Sequence, residues 1–322
     1  MNSAVALAHP NIALAKYWGK NTEVGGNVPA VPSLSMTLSG LSTRTKVTVS
    51  DELMMDEFIM NDVLQTGEAA ERTHRWLESL RQHAGRSEYA RVESVNDFPT
   101  ASGLASSASG FAALAVAAAA AYELELSPSE LAAWAQRGST SAARSLFSGF
   151  AELVPGEGGA RQVTADLEIA ALVCVTTESE KELSSRAAME ETRARSPYYE
   201  RWVQFAHENF EVQRTALLAG DWETLGAALE ASAFAMHASA MAAGIVYFNE
   251  ATLRAAARVR ALRSEGISVW ASMDAGPHVK AFVPAASAAA AAASLAQVPG
   301  VLRVIEARAG EGAHLVDGAE DA

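Results

Sequence analysis

The chain has 322 residues, with 25 Lys and Arg against 38 Asp and Glu, which gives a net charge of −13 at pH 7. Such a chain repels nucleic acid and anionic lipid as a whole, so an anionic ligand must sit in a local pocket whose field opposes the net charge. With 49% apolar and 20% charged residues a packed core is expected, as one large domain or two medium ones, and the single Cys174 excludes an intrachain disulfide or a cysteine metal cluster and suits a reducing cytoplasm.

Residues 10–20 mix apolar and basic side chains and are expected to form a strand and the turn after it. No basic n-region precedes the His9-Pro10 break, so no signal peptide is expected. Residues 34–50 alternate, with Thr43, Thr45, Val47 and Val49 on one face and Arg44, Lys46 and Thr48 on the other, which predicts a half-buried antiparallel strand. Residues 67–85 carry Trp76, Leu77 and Leu80 at helical spacing and stop at a glycine. A short strand at 90–96 leads into a Ser/Gly-rich loop and then a helix over 106–122. That helix is mostly alanine and its apolar run is too short to span a bilayer, so no membrane partner is expected. Ser127-Pro128-Ser129-Glu130 is a capping box with proline at the first helical position, and a helix starts there.

Residues 149–154 read as a strand, and Pro155-Gly156-Glu157-Gly158-Gly159 as a linker-like turn near a domain boundary. Beyond it, 169–177 is a continuous apolar run, expected as a central strand, and 183–265 is filled by long helical patterns. Residues 267–273 and 279–283 read as a strand pair around Asp274, and an alanine-rich helix (285–296) and a strand (301–307) close the second domain. Strands and helices mix without a regular βαβ rhythm, which favours α+β.

Four segments hold candidate chemistry. The first runs Pro99-Thr100-Ala101-Ser102-Gly103-Leu104-Ala105-Ser106-Ser107-Ala108-Ser109, between a strand and a helix. Small residues allow close backbone approach, a helix start offers free N–H groups, and serine hydroxyls suit magnesium; a plain serine-capped helix has the same spacing. The second, Asn11 to Lys20, sets Lys16 and Lys20 around Tyr17 and Trp18, a local basic spot or a lysine-protected strand edge. The third, Gly138-Ser139-Thr140-Ser141-Ala142-Ala143-Arg144-Ser145, places hydroxyls and one guanidinium for an anion, or simply caps a helix. The fourth, Asp274-Ala275-Gly276-Pro277-His278, puts a carboxylate at a strand end, as a catalytic group or an Asx-turn. The seven histidines show no paired ligand spacing, and His237 reads as a packed histidine.

Taken together and in order, these segments resemble the diphosphomevalonate decarboxylases of the GHMP kinase superfamily. The family's P-x-N-I-A-x-x-K-Y-W-G-K corresponds to Pro10 through Lys20 with one residue fewer, and its N-N-F-P-T-A-A-G-L-A-S-S-A-A-G-F to the segment from Asn96. Its G-S-G-S-A-C-R-S corresponds to the segment from Gly138, and its D-A-G-P-N to that from Asp274. Weaker matches fall at Lys181 to Met189 and at Met236-His237-Ala238.

The resemblance implies a two-domain GHMP-type α+β fold, with an ATP-binding domain at 1–160, a second domain at 161–322 and the active site between them. It implies ATP-dependent decarboxylation of (R)-5-diphosphomevalonate to isopentenyl diphosphate, with Mg²⁺, in a cytoplasmic homodimer. Asp274, Lys16 and Arg144 are then the catalytic group. Substrate contacts are expected from Asn11, Tyr17, Trp18, Gly19, Lys20, Ser139, Thr140, Ser141, Ala142, Ala143, Ser184, Ser185 and Arg186. ATP contacts are expected from Ala101, Ser102, Gly103, Leu104, Ala105, Ser106, Ser107, Ala108 and Ser109, with Ser106 and Ser107 near the metal.

Four departures from the family pattern matter. Val31-Pro32 stands where an Asn-Ser pair is usual, Glu57 lies in an acidic stretch where a basic residue is usual, His278 replaces Asn, and Arg186 replaces a small hydroxyl residue. Glu57 is expected to repel the distal phosphate, with Arg186 able to restore the lost charge. This keeps a 5-phosphomevalonate decarboxylase as the alternative. A mevalonate 3-kinase fits less well because Lys16, Arg144 and Asp274 are all present, and a non-catalytic GHMP-fold module less well because the serine-rich loop is intact.

Overall fold

The computed structural model describes residues 2–21, 27–98, 106–157, 159–179 and 183–317. The first half runs β1 (Asn2–Ala8), β2 (Asn11–Ala15), β3 (Ser33–Thr37), β4 (Thr43–Ser50), β5 (Glu57–Met60), β6 (Val63–Leu64), α1 (Gly67–His83), β7 (Tyr89–Asn96), α2 (Ser106–Ala121) and α3 (Pro128–Gly138). A 3₁₀ turn (Thr140–Leu146) leads into β8 (Phe150–Val154), β9 (Gly159–Val163) and β10 (Ile169–Val175). Then come α4 (Ser185–Arg195), α5 (Tyr199–Ala219), α6 (Trp222–Ala242), α7 (Glu250–Ser264), β11 (Trp270–Met273), β12 (Val279–Pro284), α8 (Ala288–Leu295), β13 (Arg303–Arg308) and β14 (His314–Val316). The α+β class holds: strands form three sheets, ordered β14-β1-β4-β7-β5-β6, β2-β3-β8-β9 and β11-β12-β10-β13.

The alternation of β4 is borne out: Thr43, Thr45, Val47 and Val49 are buried, with Arg44, Lys46 and Thr48 on the other face. The single strand expected over 34–50 is two, because Gly40 adopts φ +74 and turns the chain from one sheet to another. On the inner face of β1 and β4 lies α2, buried almost all round. Alanine permits this, since it costs no side-chain entropy and lets neighbours approach on every side. The capping box forms as expected, with Ser127 Oγ accepting from the Glu130 N–H and Glu130 returning to the Ser127 N–H.

Pro155 and Gly156 turn the β8–β9 hairpin, whose register runs from Phe150↔Val163 to Val154↔Gly159. The linker-like turn thus joins two strands of one sheet. β10 is central and wholly buried, as its apolar run predicts. Ala171 and Val173 face a core shared with Leu14, Leu34 and Phe210, while Leu172 and Cys174 face one shared with Val259 and Leu262. After β13 the chain returns to the first sheet, where Val5 pairs with Val316. The helical stretch 183–265 divides into α4 to α7, with breaks at Gly220, which is left-handed, and before the Asn249 cap.

Candidate active site

The ends of β2, α2, α4 and β11 converge on a cleft of about 380 Å³. Lys16 leaves the end of β2, where a register shift between Ala13 and Ala15 breaks the pairing with β3. Its backbone N–H donates to Ser232 Oγ on α6 (3.0 Å), and its Nζ donates to Ala13 O (2.8 Å) and to Asp274 Oδ1. Asp274 directly follows β11. Its turn is closed by the Gly276 N–H on Asp274 O (2.7 Å) and anchored by Thr176 and Thr252 hydroxyls donating to Pro277 O (3.2 and 2.6 Å).

A second lysine, Lys280 on β12, makes an ion pair with Asp274 Oδ2 at 3.1 Å, without hydrogen-bond alignment. Both lysine side chains are 1% exposed, whereas the Asp274 side chain is 26% exposed, toward the cleft. Burial works to raise the Asp274 pKa, but the two lysine charges outweigh it and hold the carboxyl well below the usual carboxylate range. Burial lowers the Lys16 pKa against the pull of Asp274.

Arg144 is 2% exposed and held as a fork: Nε donates to Ser35 Oγ (3.0 Å), Nη1 to Ser33 Oγ (2.8 Å) and Nη2 to Asn11 Oδ1 (3.4 Å). Burial brings its pKa down to about 10, so it remains charged at neutral pH. Asn11 is fixed in turn by Nδ2 donating to Ser145 Oγ (2.8 Å) and Ser141 O (2.9 Å).

At the other end of the cleft, Lys20 and Arg186 both donate to Asn27 Oδ1 (2.7 and 3.1 Å). Arg72 of α1 lines the same end, its Nε buried without a hydrogen-bond partner among the described residues. Burial and then the charges of Arg186 and Arg72 push Lys20 down to about 8. These cations, with Glu68 beside Arg72 and Glu190 beside Lys20 as counter-charges, gather positive charge at this end within a chain of charge −13.

Residues 8–165 match the diphosphomevalonate decarboxylase-like N-terminal domain, and residues 171–311 match the mevalonate 5-diphosphate decarboxylase C-terminal domain. The chain belongs to the diphosphomevalonate decarboxylase family.

Among relatives of the family, the diphosphomevalonate decarboxylase of Candida albicans is 32% identical over 86% of this chain and 83% of its own length. The phosphomevalonate decarboxylase of Haloferax volcanii is 32% identical over 86% of each. The solved structure of mevalonate diphosphate decarboxylase from Enterococcus faecalis superposes with a TM-score of 0.91 at 36% identity, covering 98% of this chain and 99% of that one. MDDEF in complex with MVAPP, AMPPCP and magnesium matches with the same figures. The chain is accordingly a decarboxylase with the family's GHMP-type fold.

Set against the family pattern, Asp274, Lys16, Arg144, Asn11, Tyr17, Trp18, Lys20, Ser139, Thr140, Ser141, Ser184, Ser185 and Arg186 all line the one cleft. Tyr17 OH donates to Thr140 Oγ1 (3.3 Å) and Thr140 to Asn27 O (2.8 Å), tying the aromatic segment to the 3₁₀ turn. Gly19 adopts φ +115 beneath the Tyr199 ring, where a Cβ has no room. Ala142 and Ala143 pack into the core beside α2, so their methyl groups support the turn from behind and do not line the cleft.

Ser106 and Ser107 line the cleft at the start of α2, but Ala108 and Ser109 turn inward. Ser109 Oγ accepts from Thr43 Oγ1 (2.6 Å), a contact that fixes the helix start on β4. Ala101, Ser102, Gly103, Leu104 and Ala105 lie outside the described residues. ATP is the co-substrate and Mg²⁺ the metal. Among the described residues no cluster of three His, Cys, Asp or Glu side chains is present. Ser106 and Ser107 offer hydroxyl oxygens and Glu68 a carboxylate in the same cleft, hard oxygen donors that fit an ion sharing phosphate oxygens.

Of the four departures, Arg186 lines the cleft beside Lys20 as expected, whereas Val31, Glu57 and His278 do not line it. Glu57 does not reach the cleft; it sits on β5 beside Arg91 (3.7 Å), paired in parallel with β7. The cleft's basic side chain on this flank is Arg72, which sequence reasoning missed because an arginine on an exposed-looking helix carries no distinguishing local signal. Glu57→Arg is therefore expected to leave the ratio of kcat/KM for the 5-diphosphate and the 5-phosphate unchanged within about twofold, since an exposed charge outside the cleft is screened. Val31 is buried with Trp18, while Ser33 and Ser35 supply the polar contacts to Arg144. His278 is buried, its Nδ1 accepting from the Thr176 N–H (3.3 Å), and does not line the cleft. His237 is packed, as expected; burial first, and Lys16 next, push it down to about 3, so it is neutral.

Proposed function

We propose that the chain catalyses ATP-dependent decarboxylation of (R)-5-diphosphomevalonate to isopentenyl diphosphate, releasing CO₂, ADP and phosphate. The observation that carries this reading is one ionised carboxylate, Asp274, open to a cleft and backed by buried cations, with a guanidinium fork at one side and a cation cluster at the far end. A 3-hydroxy acid has no carbonyl at its β carbon to accept electrons, so direct loss of CO₂ is slow. Transfer of a phosphoryl group to the tertiary hydroxyl makes it a leaving group. As phosphate departs with the C–O electron pair, the C–C electrons of the departing carboxylate form the new double bond.

In this reading Arg144 holds the substrate carboxylate through its remaining N–H donors, with Ser139 and Ser141 beside it. Lys20, Arg72 and Arg186 hold the diphosphate, with Tyr17 between the two ends. Asp274 accepts a hydrogen bond from the C3 hydroxyl and aligns its oxygen. As a carboxylate stabilised by two lysines it is a weak base, so the hydroxyl proton moves only as the new P–O bond forms and passes on to a phosphate oxygen, which leaves Asp274 ionised. Its negative charge then favours positive character at C3, and Lys16 offers a donor to the transferring phosphoryl group. Ser106 and Ser107 would hold the magnesium ion, which when bound offsets charge on the nucleotide phosphates.

Two measurements test the substrate assignment. CO₂ release is compared for mevalonate, its 5-phosphate and its 5-diphosphate, each with ATP; the highest kcat/KM is expected for the 5-diphosphate, and turnover of the 5-phosphate alone would replace this reading with the alternative. The pH dependence follows from Lys20, which is charged below its pKa of about 8 and neutral above it. The kcat/KM for the 5-diphosphate should therefore fall above pH 8, and in Lys20→Arg that limb should move to higher pH, because the guanidinium does not titrate there. We further place the protein in the cytoplasm as a homodimer, a state that light scattering on the purified chain checks. The buried single thiol, Cys174, suits that compartment, and no described helix is long and apolar enough to cross a membrane.

A further inference from the structure

Lys280 is the lone charge in the run Val279-Lys280-Ala281-Phe282-Val283, on a strand with neighbours on both sides. Those four apolar neighbours are wholly buried, and the lysine side chain itself is 1% exposed. Lys280 stands opposite Ser272 on β11 and Val173 on β10. Stability does not account for it, because a well-packed apolar side chain of similar volume holds such a position at least as well.

The titratable groups facing Asp274 come from four parts of the chain. They are Lys16 after β2, Lys280 on β12 and Arg144 on the 3₁₀ turn, together with the neutral His237 on α6. Lys16 and Asp274 would suffice as a neutral pair, so Lys280 is a second cation for a carboxylate that already has one. The two lysines take different oxygens, Lys16 on Oδ1 and Lys280 on Oδ2. Lys16 has two demands on its Nζ in the proposed chemistry, the Asp274 carboxylate before transfer and the phosphoryl oxygens during it.

We propose that Lys280 is a positioning residue for the decarboxylation: it holds Asp274 by Oδ2 in the ionised form, and so frees Lys16 to turn from Oδ1 toward the transferring phosphoryl group. The inference rests on the decarboxylase reading above. It supplies what a single lysine cannot, a carboxylate that stays ionised and aligned while its first partner is drawn away. Removing either cation raises the Asp274 pKa, since a nearby positive charge favours the carboxylate form.

The test is Lys280→Met, with Lys280→Gln as a second variant. Each is followed by thermal melting, by the pH profile of kcat, and by ¹³C NMR of carboxyl-labelled aspartate, with the Asp274 signal assigned from its loss in Asp274→Asn. In Lys280→Met the melting temperature is expected to hold, with kcat lower by about 10-fold or more and KM for ATP little changed. The acid limb of kcat and the Asp274 titration should both move up by about one pH unit or more. An Asp274 titration that matches wild type overturns the inference, as does a kcat profile that matches wild type. Loss of folded protein in both variants also overturns it, because it assigns Lys280 to the fold. Wild-type protein that releases no CO₂ from diphosphomevalonate defeats the decarboxylase reading instead, and the NMR titration still decides whether Lys280 governs Asp274.

Discussion

Asp274→Asn will abolish CO₂ release, lowering kcat by about 10³-fold or more, while ATP affinity stays within about threefold. The substitution preserves volume and leaves the turn anchored by Thr176 and Thr252 on Pro277 O. What it removes is the negative charge between Lys16 and Lys280. Two buried ammonium groups are then left facing each other without a counter-charge, in a pocket where positive character must develop at the substrate. The Lys16, Lys280 and Asp274 cluster goes from a net charge of +1 to +2, which disfavours positive character at the reacting carbon. The amide also presents an N–H₂ to a lysine, so the orientation of the remaining oxygen is no longer fixed. The Ser106 and Ser107 end of the cleft belongs to a different element, the start of α2, and is untouched. Calorimetry of ATP binding alongside a radiometric CO₂ assay separates the two effects. A variant that keeps most of the wild-type turnover would remove Asp274 from the chemistry.

Arg144→Lys will keep the fold but lose about 10²-fold or more in kcat/KM for diphosphomevalonate. Charge is retained, so a purely electrostatic role predicts little change. The geometry predicts otherwise. Three guanidinium nitrogens are each committed, to Ser35, Ser33 and Asn11, and this spends part of the fork on orientation so that the rest can meet a carboxylate squarely. An ammonium group has no planar fork and cannot reach two serines on β3 and Asn11 on β2 at once. Ser33 and Ser35 would be left buried with fewer partners, a modest stability loss of about 1–3 kcal/mol. Steady-state kinetics with thermal melting reads both effects; equal kcat/KM for Lys and Arg at this position would show that charge alone suffices.

Local patterns carried the elements whose stability is local. The period-two pattern of β4, the Ser127–Glu130 box and the wholly apolar β10 each announce themselves within a few residues, and each forms as expected. Features set by distant pairing were not legible. β14 finds its partner in β1 some three hundred residues away, and three residues carry no pattern of their own. Likewise the parallel pairing of β5 with β7 decides that Glu57 lies on a sheet away from the cleft, and nothing near Glu57 encodes that. The cleft residues on motifs converged because small residues and fixed spacings carry a recognisable chemistry. Arg72 and Asn27 did not stand out, since each reaches the cleft only through tertiary placement. Lys280 did leave a signal, a single charge inside an apolar strand, which a reading tuned to motifs passes over.

Phosphoryl transfer and loss of CO₂ are coupled in the proposed reaction. The direct measurement is the stoichiometry of one reaction with carboxyl-labelled diphosphomevalonate and ATP, in which labelled CO₂, ADP and isopentenyl diphosphate are counted together. Equal amounts of all three at every time point are predicted, with none formed when ATP is withheld. ADP accumulating without CO₂, or CO₂ released without ADP, would contradict it.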